Sequence, residues 1–118
     1  MSMSIQHPRD LTGAEIAAIS FVRDYVEVLF DGPILRCISN PTVVIKGMMF
    51  RFPEPGSRDA LCLLIGASVA SVSLEEGKRL ELTTERGDSL VVPLNDEAQR
   101  GGEAMHFLPG LDEPLQVW

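Results

Sequence analysis

The residue types best suited to chemistry lie near the end of this chain. In GGEAMHF, residues 101–107, Glu103 stands three residues before His106, and Asp112 and Glu113 follow. Carboxylates and an imidazole are ligands for a divalent metal, provided that they converge at set distances. One histidine with dispersed acids falls short of such a set. The plainer reading is a loop segment whose Met105 and Phe107 pin it to the body of the protein while His106 sits at the surface. His7, beside Pro8, has no visible partner in the sequence.

Nucleophiles are no better placed. Ser57, Ser68, Ser71 and Ser73 stand in no G-x-S-x-G setting, which a hydrolase elbow requires. FDGP and ERGDS lack the glycine spacing of phosphate cradles and read as turns, including Arg86-Gly87-Asp88. EEGK is another turn, with Glu75 and Glu76 at a solvated hairpin tip. Cys37 and Cys62 lie inside the apolar runs ILRCIS and ALCLLI. Both are expected to be buried, reduced thiols, since a reactive thiol needs an electropositive, accessible setting. No catalytic, cofactor-binding or metal-ligating residue emerges, and no cofactor is expected.

A chain of 118 residues suits a single domain, residues 1–118, with a core large enough to need no staples. No apolar run approaches the roughly 20 residues that span a bilayer, and MSMSIQHPRD has no signal-peptide pattern. The expected place is the cytoplasm, away from membranes. Net charge is −7 and uneven: residues 1–50 contribute −1 and residues 51–118 contribute −6. Such a surface repels a phosphate backbone, so nucleic-acid binding is not expected. It suits a basic protein partner.

The elements that must carry these residues read mostly as strands. YVEVLF alternates, with Tyr25, Glu27 and Leu29 on one face and Val26, Val28 and Phe30 on the other. DGP is a turn before ILRCIS. TVVIKGMMF reads as one strand broken at Gly47, where a bulge or a close backbone approach fits. RFPEPGS is loop. SRDALCLLIG fits a short helix with Ser57 as N-cap and Gly66 beyond its end, although a buried strand has the same pattern. SVASVSL, RLELTTE and LVVPL then form a meander, NDEAQRGG a short helix or turn, and LQVW an edge strand.

LTGAEIAAISF (11–21) and LIGASVASVSL (64–74) share five identities in eleven positions at an offset of 53. The register continues: VEV at 26–28 matches LEL at 80–82 at 54, and Gly32/Gly87, Leu35/Leu90 and Asn40/Asn95 match at 55. Each added residue falls in a turn, where insertion is tolerated, and strand interiors carry no gap, as register demands. An internal repeat of residues 11–40 and 64–95 is expected. Each unit is a helical turn ending at glycine, then three strands; apolar anchors three apart in the first strand imply a bulge or burial on both sides. A three-stranded unit cannot cover its own apolar face, so the two should pack about a pseudo-twofold axis. The expected fold is mainly β, a single small barrel or sandwich of two such units with one or two short helices.

DALCLLIGASVASV, followed by LELTTERGDSLVVPLND and GGEAMHF, resembles a family of small uncharacterised bacterial proteins, a domain of unknown function. Some domains of this appearance are immunity proteins of bacterial toxin systems. The resemblance spans residues 59–107 and carries no functional residue. It implies a bacterial binding protein without enzymatic activity, such as an acidic immunity-type inhibitor. The alternative is a small-molecule-binding or enzymatic barrel whose pocket forms only in three dimensions. Uncovered edge strands favour association, and a homodimer is expected that uses either TVVIKGMMF, through Met48 and Met49, or the terminal LQVW, through Trp118.

Overall fold

The structure is a computed structural model that describes residues 5–110 and 113–118. Asp112, one of the acids weighed above, lies outside the described residues. Alternation makes the strands: Val26 and Val28 in β2 (Tyr25–Leu29), Leu35 and Cys37 in β3 (Ile34–Cys37) and Leu90 and Val92 in β8 (Ser89–Pro93) all point inward. Two five-stranded antiparallel sheets result. Sheet one has the order β1 (Ala18–Val22), β2, β3, β9 (Met105–Leu108), β10 (Gln116–Val117). Sheet two has the order β5 (Met48–Arg51), β4 (Thr42–Ile45), β8, β7 (Arg79–Thr84), β6 (Val69–Glu75). They face each other as a sandwich, not a closed barrel, over a core that includes Leu35, Met105 and Phe107 from one side and Val43, Leu82 and Leu90 from the other.

The meanders β1-β2-β3 and β6-β7-β8 have the same strand order and the same register. Ile19 pairs with Val28 and Val28 with Leu35; at the sequence offsets the counterparts are Val72 with Leu82 and Leu82 with Leu90, and these pairs occur. A register shift between Val69 and Ser71 supplies the bulge expected from the apolar spacing. After β3 the chain crosses to sheet two, where β4 pairs with β8; after β8 it crosses back, where β9 pairs with β3. Each meander is thus completed by strands that follow the other one. Ser39 fastens the first crossing, its buried hydroxyl donating to the Pro93 carbonyl at 2.6 Å.

Two helical turns add to the core, through Leu11 and through Ala60, Leu61 and Leu64. The 3-10 turn Pro8–Leu11 packs on β6, and Arg9 Nη2 donates to the Leu74 carbonyl at 3.0 Å. Helix α1 (Ser57–Cys62) packs against β1, β4 and β5, and Arg58 lies over the rings of Phe21 and Phe52 at 5.8 and 5.0 Å.

Four expectations are corrected. TVVIKGMMF is not one strand: Lys46 and Gly47 both have positive φ (51° and 80°), the geometry of a two-residue hairpin turn, and β4 and β5 pair side by side. The N-cap of α1 is Gly56, at φ 86°; Ser57 is the first helical residue, buried with its hydroxyl unpartnered. Cys62 is exposed. The run ALCLLI is longer than the stripe that one helix face can bury, so Ala60, Leu61 and Leu64 turn inward while Cys62, Leu63 and Ile65 turn out. GGEAMHF is not loop throughout, because Met105–Leu108 forms β9, paired between β3 and β10 in sheet one.

Candidate functional site

On the outer face of sheet one, cross-strand pairing lines up polar residues. Ser20 pairs with Glu27, Glu27 with Arg36, and Arg36 with His106. Their side chains make contact: Arg36 Nε to Glu27 Oε2 at 2.8 Å, Arg36 Nη1 to His106 Nδ1 at 3.1 Å, and His106 Nε2 to Glu103 Oε1 at 2.8 Å. Arg36 also lies 5.7 Å over the Tyr25 ring. A guanidinium can only donate, so Nδ1 of His106 accepts and the ring proton points from Nε2 to Glu103. That arrangement orients the imidazole between Arg36 and Glu103. Glu27 and Arg36 are largely covered, with side-chain exposures of 15% and 25%.

Glu103 and His106 therefore do come together, but as part of a hydrogen-bonded row. Among the described residues no group of three metal-ligating side chains converges. Arg36 and Glu27 were not singled out as site residues. The signal was present: YVEVLF and ILRC place both on outward faces, and the DGP turn sets them opposite each other. The link to His106 needed β9 to return from the far end of the chain, which no local pattern reveals.

The same register on sheet two gives Ser73, Glu81, Val91, Thr42 and Arg51. Here the two central positions are Val91 and Thr42, too short to fill the face. An open groove of about 770 Å³ lies over them, and residues 95 and 97–100 contribute to its wall. Arg100 ties that wall down, with Nη1 at 2.8 Å from the Asp24 carbonyl and 3.2 Å from Asp24 Oδ2, and Nη2 on Asn40 Oδ1.

A second groove, about 380 Å³, runs between the β4–β5 hairpin and α1. Its lining includes Ile45, Met48, Phe50, Ala60 and Leu63, with Lys46 and Asp59 at the rim. Met48, Met49 and Leu63 are 63%, 69% and 57% exposed. Trp118 is on the opposite side of the sandwich. Its ring is half-buried against the core, meets His7 edge-on at 5.8 Å, and donates from Nε1 to Glu76 at 3.3 Å. The two candidate edges, that of Met48 and Met49 and that of Trp118, thus lie apart.

Burial pushes the Cys37 thiol up to about 12, which leaves it protonated and inert. Cys62, by contrast, is free and exposed. Among the described residues no helix is long and apolar enough to cross a membrane. Comparison with protein-family models, with curated proteins and with solved structures finds no match.

Proposed function

We propose that this chain is a binding protein without catalytic chemistry of its own, acting in the bacterial cytoplasm, and that it docks a second copy of itself along β5. The observation that carries this reading is Met48 and Met49, both exposed on an edge strand beside an apolar groove. Methionines of this kind are favoured at interface centres because they adapt to the opposing surface. Ladder alternation turns the backbone of Met49 outward from β4, so a second β5 can pair antiparallel with it and extend the sheet. Such a contact is isologous and closes at two copies.

Charge supports the same face. Residues 42–63 carry Lys46, Arg51 and Arg58 against Glu54 and Asp59, one net positive charge in a chain of −7. Two copies that met elsewhere would bring acidic surfaces together. The free thiols Cys37 and Cys62 fit a reducing compartment, and the acidic excess elsewhere disfavours nucleic acid. An immunity-type inhibitor is one form of this reading, with the acidic surface left for a basic toxin.

Light scattering at micromolar concentration tests it. A species of twice 12.9 kDa that Met48→Lys with Met49→Lys reduces to a monomer is the expected result. A monomer at every concentration, or a dimer indifferent to both changes, refutes it.

A further inference from the structure

The outer faces of the two sheets are the same register written with different residues, and the difference leaves a site. In sheet one, Arg36 and His106 occupy the central positions and satisfy each other, Glu27 and Glu103. In sheet two, the positions paired in the same way hold Val91 and Thr42. The cation stands two places further out, at Arg51 on the edge strand. Its guanidinium has no hydrogen-bond or ion-pair partner among the described residues, whereas those of Arg9, Arg36, Arg79 and Arg100 all have one.

The groove that results has the volume and make-up of a small-molecule site. About 770 Å³ lies within the usual ~300–1,000 Å³. Val91 and Pro93 give it an apolar floor, Thr42 a hydroxyl and Asn95 an amide, while Arg51 and Glu97 supply opposite charges beside Arg100, which is already paired with Asp24. The Arg100 contacts to Asp24 and Asn40 hold the 95–100 segment in place before any ligand arrives. Binding then costs little ordering of the site.

The charges select the ligand. Arg51 presents the planar fork that matches a carboxylate. A ligand that is only anionic would meet Glu97 and the field of a −7 chain, and one that is only cationic would meet Arg51. The geometry points to a binding site for a small zwitterion of the amino-acid or dipeptide class, its carboxylate on Arg51 and its ammonium towards Glu97. This goes beyond the docking surface, with which it shares strand β5: Arg51 lines the groove over the sheet's outer face, whereas Met48 lines the other groove.

The test is an NMR titration of the full isotope-labelled chain with three probes: alanyl-alanine, its N-acetyl form and its C-terminal amide. The expected result is saturable shifts at Thr42, Val91 and residues 95–100 with alanyl-alanine, and binding roughly tenfold weaker for either blocked form. Arg51→Gln should weaken alanyl-alanine roughly tenfold, and Glu97→Gln should remove its advantage over the acetyl form. Both side chains are exposed, so both variants should keep the parent spectrum elsewhere. Met48→Lys should leave the titration unchanged, which separates this site from the dimer contact. No saturable shift at about 10 mM, or binding indifferent to Arg51→Gln, overturns the site.

Discussion

Gly13 and Gly66 make reciprocal hydrogen bonds across the start of the two meanders. The Gly13 amide donates to the Val69 carbonyl at 2.8 Å, and the Gly66 amide donates to the Ile16 carbonyl at 2.8 Å. The return bonds are related in the same way: Ile16 to Ala67 at 2.9 Å and Val69 to Ala14 at 2.8 Å. Every donor and acceptor maps onto its counterpart at the offset of 53. Both glycines have positive φ, 91° and 88°, which ends the helical turn and lets the chain enter this pairing.

Alanine at either glycine should therefore cost about 1 kcal/mol through backbone strain. The two losses should be similar, since an added Cβ meets nothing within 4 Å at Gly13 and only Arg86 Nη2, at 3.4 Å, at Gly66. Urea unfolding of the two variants checks this. A loss at one site alone would mean that the reciprocal bonds do not share the strain.

The crossings make a second expectation. β4 and β5 sit in the sheet of β6-β7-β8, and β9 and β10 in that of β1-β2-β3. Fragments 1–56 and 57–118 should each be unfolded alone, because each lacks strands that complete its own meander. Mixed, they should recover β-sheet circular dichroism. Independent folding of either fragment would contradict it.

Removing Arg36 should uncover a nearly buried carboxylate and release His106. Arg36→Ala is expected to cost about 2 kcal/mol, less than a fully buried pair because a quarter of the side chain meets solvent. Combined with Glu27→Ala, the double-mutant cycle should show coupling of about 1 kcal/mol. Additive losses would mean that solvent already screens the pair.

The thiols should separate by rate. Cys62 should react with a thiol reagent in the native state, and Cys37 only on unfolding. Burial raises the Cys37 thiol from 9.0 to about 12, so the folded state holds its proton where the unfolded chain releases it. That contribution to stability is complete below pH 9 and is lost as pH rises towards 12. Replacing Cys37 with alanine should flatten that slope. Fast labelling of both cysteines would show that β3 opens readily.

Sheet two should accept the residue that sheet one uses. Val91→Arg stands opposite Glu81 as Arg36 stands opposite Glu27. The variant is expected to fold with about 1 kcal/mol lost, since Val91 is half-buried on the outer face, and to fill the groove over Thr42. Thermal unfolding checks the first part, and the titration with alanyl-alanine, which should then show no binding, checks the second.

Local pattern was sufficient for the strands, because a half-buried strand must alternate and YVEVLF, ILRCIS and RLELTTE do so. It was sufficient too for the register of both meanders, since an offset that changes only at turns keeps every side chain on its face. It failed at TVVIKGMMF, where only the positive φ at Lys46 showed a hairpin, and at Cys62, where an apolar run outgrew the face that could bury it. Which strands became neighbours across the crossings was decided in three dimensions. Pairing β9 with β3 and β4 with β8 joins residues 70 and about 50 positions apart, and that choice follows from covering two apolar faces at once. The contact of Arg36 with His106, and the groove over Val91 and Thr42, exist only because of it.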